Sequence, residues 1–306
     1  MLCSGLMVSG RRLWWTAERA TIPGLFFLGV ATVAAACNAP MVLTQQVEAR
    51  RLASEVQLQF TKAADAGNRS VMADSDDDAM AAAREAEQAT HAVLDGSERL
   101  EGILTSMGYS EELQFLGTFR DRFAEYQKLD AEILPLAVEN TNLKAQRLSF
   151  GPAADAANAF RASIEAAVKT ARAGDAWRAE ALAGRATAAL LEIQVLQAPH
   201  IAEAQDAAMD RIEQQMAASD AAARRQLEQL KSLLPPDAGP HLTAATAALD
   251  RFKAINTELI ALSRRNSNVR SLALTLGRKR MLTAQCDDQL RGLQAALMKH
   301  AVTATR

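Results

Sequence analysis

Residues 123–151, FAEYQKLDAEILPLAVENTNLKAQRLSFG, recur without a gap as residues 249–277, LDRFKAINTELIALSRRNSNVRSLALTLG. Glu132/Glu258, Leu136/Leu262, Asn140/Asn266, Asn142/Asn268, Leu148/Leu274 and Gly151/Gly277 are identical. Tyr126/Phe252, Leu129/Ile255, Ile133/Leu259, Leu143/Val269, Lys144/Arg270 and Ser149/Thr275 keep their chemical type. A long self-match at fixed offset is one structural unit built twice.

Working outward from that repeat, the flanking segments read as amphipathic helices. Val47, Leu52, Val56 and Phe60 recur at helical spacing over 44–66, and Gly67-Asn68 is expected to end that helix. The Asp74–Asp78 run reads as the capping turn of a helix over 76–106, since carboxylates oppose the positive end of the helix dipole. It lacks the spaced ligands, central Gly and terminal Glu of an EF-hand, so no metal site is assigned. A third helix is expected from Ser110 to about Ser149, bent at Pro135, and Gly151-Pro152 reads as a break before a fourth, to about Ala173. Helices over 176–197, 200–234, 238–276 and 278–302 repeat the plan, and without a break at Gly174 residues 152–197 would form one rod.

The fold class expected is therefore all-α: an N-terminal membrane helix followed by two tandem antiparallel four-helix bundles, 44–175 and 176–306. Composition agrees, with 49% hydrophobic residues, much of it alanine, only 5% aromatic and 23% charged. The net charge of -2, with both signs interspersed, gives no footprint for nucleic acid.

Residues 1–43 read as a cytoplasmic stub and membrane anchor. Arg11, Arg12 and Arg19 precede the apolar run Ile22–Leu43, long enough to cross a bilayer, with the arginines holding the N-terminus inside. Ala34-Ala35-Ala36-Cys37 offers an alternative, a lipoprotein processing site that would leave a lipidated Cys37; cleavage after the alanines is a third reading. Each exports the body from the cytoplasm.

No phosphate-binding loop, nucleophile elbow, His-Glu-x-x-His motif or haem attachment motif is present, and the four histidines are scattered. No enzymatic role and no cofactor are assigned. The candidate ligand contacts are Asn140, Asn142, Asn266 and Asn268, with Arg270 nearby, as either a polar pocket or a buried layer fixing helix register. Two residues apart on a helix face different ways, so at most one asparagine of each pair is expected to face the bundle axis. Arg278-Lys279-Arg280 places three cations near a helix start, where the dipole is unfavourable unless an anion or carboxylate answers them; Asp287 and Asp288 follow about two turns later to do so in part, and a solvated basic rim is the plainer reading.

The membrane segment leading into a helix, the duplicated unit and Gly277–Thr283 (GRKRMLT) resemble bacterial methyl-accepting chemotaxis proteins, in the periplasmic sensor region of their tandem or bimodular type. GRKRMLT is similar to the Gly-Arg-x-Arg-Met-Leu-Ser/Thr stretch of pilus-transducer and nitrate-sensor families. The resemblance implies anion binding at Arg278 and Arg280, and a membrane-tethered periplasmic sensor that binds a small ligand or a partner receptor. As no second membrane helix or signalling module follows, it implies a detached sensor acting through another protein, with a homodimer as a further possibility. A structural or interaction module of the cell envelope is the alternative.

Overall fold

The computed structural model describes the backbone of residues 28–303 and the side chains of residues 42–300. Residues 22–41 of the anchor expected over Ile22–Leu43, Cys37 among them, lie outside the residues whose side chains are described. Among the described residues no helix is long and apolar enough to cross a membrane. The compact body is Glu48–Arg306.

Among the described residues the protein is all helix, with no strand. The elements are α1 (Leu28–Met72), α2 (Asp76–Met107), α3 (Ser110–Glu139), α4 (Thr141–Leu148) and α5 (Ala154–Val168). They are followed by α6 (Ala176–Ala202), α7 (Asp206–Leu233), α8 (Gly239–Arg265), α9 (Ser267–Leu274) and α10 (Arg280–Thr303). Single π turns, Ser149–Ala153 and Thr275–Lys279, join α4 to α5 and α9 to α10 as two continuous rods.

The local chemistry explains most of these limits. Ser75 caps α2 by accepting the Asp78 N–H, with Asp76, Asp77 and Asp78 in the first turn. Gly108, at φ 69°, closes α2 with its own N–H and that of Tyr109 directed to the carbonyls of Thr105 and Leu104. Turns around Gly174-Asp175 separate α5 from α6, so residues 152–197 are not one rod.

Three expected boundaries are corrected. Gly67-Asn68 does not end α1, which continues to Met72. The third helix, expected to run to about Ser149, ends at Glu139, and the chain breaks at Asn140, which takes the left-handed conformation at φ 56°, as Asn266 does at φ 55°. Gly151-Pro152 does not stop the helix. The π turn there shifts the hydrogen-bond register by one residue, which makes room for a residue without an N–H.

Four helices close around each of two cores. The first core takes Ala49, Leu52, Val56 and Phe60 of α1, Val93, Leu100 and Leu104 of α2, Leu116, Phe119, Phe123 and Tyr126 of α3, and Leu282, Cys286, Leu290, Leu293 and Leu297 of α10. Phe60 meets Phe119, Phe123 and Tyr126 edge-on, with ring centroids 5.5–5.9 Å apart. Burial pushes the Cys286 thiol up to about 12, so it stays a neutral core filler. The second core takes Phe160 and Ile164 of α5, Leu190 and Ile193 of α6, Met216, Leu227 and Leu230 of α7, and Leu242, Leu249 and Phe252 of α8, filled out by alanines.

The cores therefore do not follow the expected division at residue 175. The last helix of each half has crossed over: α10 completes the first core, and α5 completes the second. The break at Asn140 and Asn266 is what redirects the chain, so that α4 lies on α8 and α9 on α3.

This exchange makes a prediction that an unexchanged arrangement would reverse. A chain stopped after Lys279 loses α10, and hydrogen exchange should then accelerate in residues 49–137 while α6 and α7 keep their protection. Selective loss of protection in α6–α8 instead would contradict the exchange.

Candidate functional site

Both asparagine pairs lie where the exchanged rods cross, and they meet each other. In a helix the first amides have no internal partner and are met by a cap or by water. Here each rod caps the other. The Thr141 N–H donates to Ser267 Oγ at 3.0 Å, and the Ser267 N–H to Thr141 Oγ1 at 3.1 Å. The Asn142 N–H donates to Asn268 Oδ1 at 3.0 Å, and the Asn268 N–H to Asn142 Oδ1 at 3.1 Å. The side-chain amides continue the symmetry, Asn142 Nδ2 to Asn266 Oδ1 at 2.9 Å and Asn268 Nδ2 to Asn140 Oδ1 at 2.6 Å. Glu139 and Arg265, also equivalent, form an ion pair beside this clasp.

The remaining amide donors are met as well. Asn142 Nδ2 also reaches the Ile201 carbonyl, Asn266 Nδ2 the Glu203 carbonyl, and Asn140 Nδ2 the Asp76 carboxylate. Asn140, Thr141, Asn142, Asn266 and Ser267 are all buried. Because the helix is broken at the first asparagine, both members of each pair turn inward, against the expectation of at most one. The arrangement is a closed lock between rods, with its hydrogen-bonding groups engaged internally. Arg270, Arg278 and Arg280 are exposed and outside the clasp.

Two to three turns further along each rod, the halves solve one packing problem in two ways. Buried positions Ala49/Ala179, Ala53/Ala183, Phe60/Leu190 and Ala63/Ile193 keep a constant spacing of 130, which aligns Gly67 with Gln197. Around the second core, Gln197 Nε2 donates to Asn256 Oδ1 at 2.9 Å and Gln197 Oε1 accepts from Ser149 at 2.7 Å, with Ala153 leaving the space. Around the first, Asp130 replaces Asn256, Lys279 replaces Ala153, and Gly67 replaces Gln197. Lys279 Nζ lies 2.5 Å from Asp130 Oδ1, 5.1 Å from the centroid of the Tyr126 ring, and is 1% exposed. A Cβ at position 67 would meet that Nζ, so any side chain there has to displace the ammonium from its place beside Asp130.

Burial holds the Asp130 carboxyl above the usual carboxylate range, opposed by the Lys279 ammonium. Burial and the neighbouring Asp130 also push the Tyr126 phenol up, so it remains protonated. Lys279 was the cation of Arg278-Lys279-Arg280 answered by a carboxylate, and that carboxylate is Asp130 rather than an anion from solution. Against the second π turn opens a cavity of about 410 Å³, bounded by Val71 and Met72 of α1, Leu272, Leu276, Lys279 and Arg280 of the rod, and Asp287 of α10.

A second polar cluster escaped the sequence, because its members are far apart in the chain. Buried His200 places Nδ1 2.8 Å from Ser263 Oγ and Nε2 2.8 Å from Glu213. Arg264 and then His200 hold the Glu213 carboxyl below its usual range. The order Ser–His–Glu resembles a nucleophilic triad, but Ser263 Oγ donates to the His200 carbonyl at 2.9 Å and is fully buried inside α8. It presents no nucleophile to solvent, and the cluster ties α6 to α7 and α8.

No family model, no curated protein and no solved structure matches the chain.

The two versions of the packing device can be exchanged on paper and at the bench. Lys279→Ala alone strands a buried carboxylate and should cost about 3–5 kcal/mol. Adding Asp130→Asn and Gly67→Gln copies the Gln197–Asn256 arrangement and should recover most of that loss in urea denaturation. A triple variant no more stable than Lys279→Ala would show that the two halves are not interchangeable here.

Proposed function

We propose that the protein is a sensor-type helical module of the bacterial cell envelope, tethered by its N-terminal segment, that responds to a small ligand or to a partner receptor. In this reading each four-helix core is an antiparallel bundle, and the two bundles are joined by exchange of their last helices. The observation that carries it is the place of the cavity. Its wall is the same rod, α9 through the second π turn to α10, that holds the clasp at one end and completes the first core at the other.

A π turn is a point where a helix can change register, and such turns recur at functional sites. A ligand wedged beside it favours one register of α10 over another. The clasp then anchors one end of the rod, so a shift appears along α10 and in the first core. Packed interfaces respond to such pressure by moving between discrete arrangements. The resemblance to the chemoreceptor sensor regions supports the same reading.

The second reading, a structural or docking module, is favoured by apolar side chains left in water. Phe150 is 78% exposed, at the first π turn, and Val195 is 72% exposed on α6.

Thermal-shift screening of the full chain against organic acids, amino acids, inorganic anions and single-chain amphiphiles separates the two. A ligand held only by the folded state adds about 2.7 kcal/mol at a hundred times its Kd, and the melting temperature must rise. The rise should vanish in Ala284→Trp, which fills the groove from an exposed position on α10. No shift with any compound would remove the small-ligand reading and leave partner docking.

A further inference from the structure

We infer that the groove beside the second π turn takes a single-chain aliphatic anion, an alkyl chain ending in one carboxylate, sulfate or phosphate group. The inference rests on the ligand-responsive reading above and names the chemistry of its ligand.

The walls call for hydrocarbon. Met72 is 72% exposed, Leu276 63% and Leu272 37%, and all three face the same concavity of about 410 Å³ with Val71. Apolar surface gathered in a concavity gains when a chain displaces water from it. Beyond the exposed Asn68 amide, the hydroxyls present offer little to a sugar or a peptide backbone. Thr275 Oγ1 already donates to the Ser271 carbonyl at 2.8 Å and Thr283 Oγ1 to the Lys279 carbonyl at 2.9 Å.

The charges decide the head group. Lys279 is committed to Asp130, and Asp287 Oδ1 accepts from Gln57 at 2.9 Å. Arg280 is exposed at the groove and has no carboxylate partner among the described residues. Seven residues, roughly 10 Å of helix, separate it from Asp287. An anionic head therefore belongs at the Arg280 end, where a guanidinium can grip two oxygens at once, and the chain runs along the π turn between α1 and the rod.

Calorimetric titration of the full chain with octanoate, decanoate and dodecanoate, all below micelle formation, tests this. Affinity should rise roughly fourfold per added methylene until the cavity is full. Decyl sulfate should bind like decanoate, while neutral decyl glucoside and cationic decyltrimethylammonium bind at least tenfold more weakly. Arg280→Gln should erase the preference for the anion, and Leu276→Glu, a change at an exposed site, should weaken the whole series. Binding independent of chain length, or a preference for anions that survives Arg280→Gln, would overturn the inference. If the alkyl anions fail but another compound shows an Ala284→Trp-sensitive shift, the ligand class is wrong and the groove remains a binding site. If nothing of any class binds, the groove fails with it.

Discussion

The architecture depends on two helix ends that cap each other. A helix N-terminus carries amides with no internal acceptor, and a cap of about 1 kcal/mol normally comes from the residue just before it. Here Thr141 and Asn142 of one rod and Ser267 and Asn268 of the other supply the acceptors across the crossing. Neither end is satisfied without its counterpart, since leaving such a buried amide unpaired costs about 1–3 kcal/mol. The duplicated sequence thus acts as a self-complementary joint, which is the reason both copies retain the Asn-Thr/Ser-Asn element.

The joint in turn decides which core each rod enters. Asn140 and Asn266 are the only non-glycine residues at positive φ among the described residues, and each turns the chain away from the helix before it. The outgoing rods then exchange, so each core is built from three helices of one half and one of the other. Past the joint the halves diverge in chemistry. One closes its polar layer with the neutral pair Gln197–Asn256, the other with the ion pair Lys279–Asp130 in space that Gly67 leaves open. A buried ion pair offers little stability over a neutral substitute, and it stands on only one side, next to the groove.

Much of this was legible in the sequence. The repeat singled out the asparagines, as a pocket or a register-fixing layer, and helical periodicity gave the all-α class and most helix starts. The exchange was not legible, because an amphipathic face says that a helix is buried without saying against which partner. The break was misplaced because Gly151-Pro152 is a stronger local signal than an asparagine, and a π turn absorbs the proline. Gly67 read as a helix end, whereas its meaning lies in a lysine that is remote in sequence. Lys279 read as a solvated cation like Arg278 and Arg280, since nothing local distinguishes a lysine that meets a buried carboxylate. Of the arginines expected at a ligand site, Arg280 lies at the groove, while Arg270 and Arg278 are simply exposed.

The most direct measurement is amide hydrogen exchange at Thr141, Asn142, Ser267 and Asn268. First-turn amides of a helix ordinarily exchange as fast as fraying ends do. With reciprocal capping in a buried joint, these four should be protected to the level of the core amides of α3 and α8, and should open together. Exchange at the rates of free helix termini would contradict the joint, and with it the crossing of the two rods.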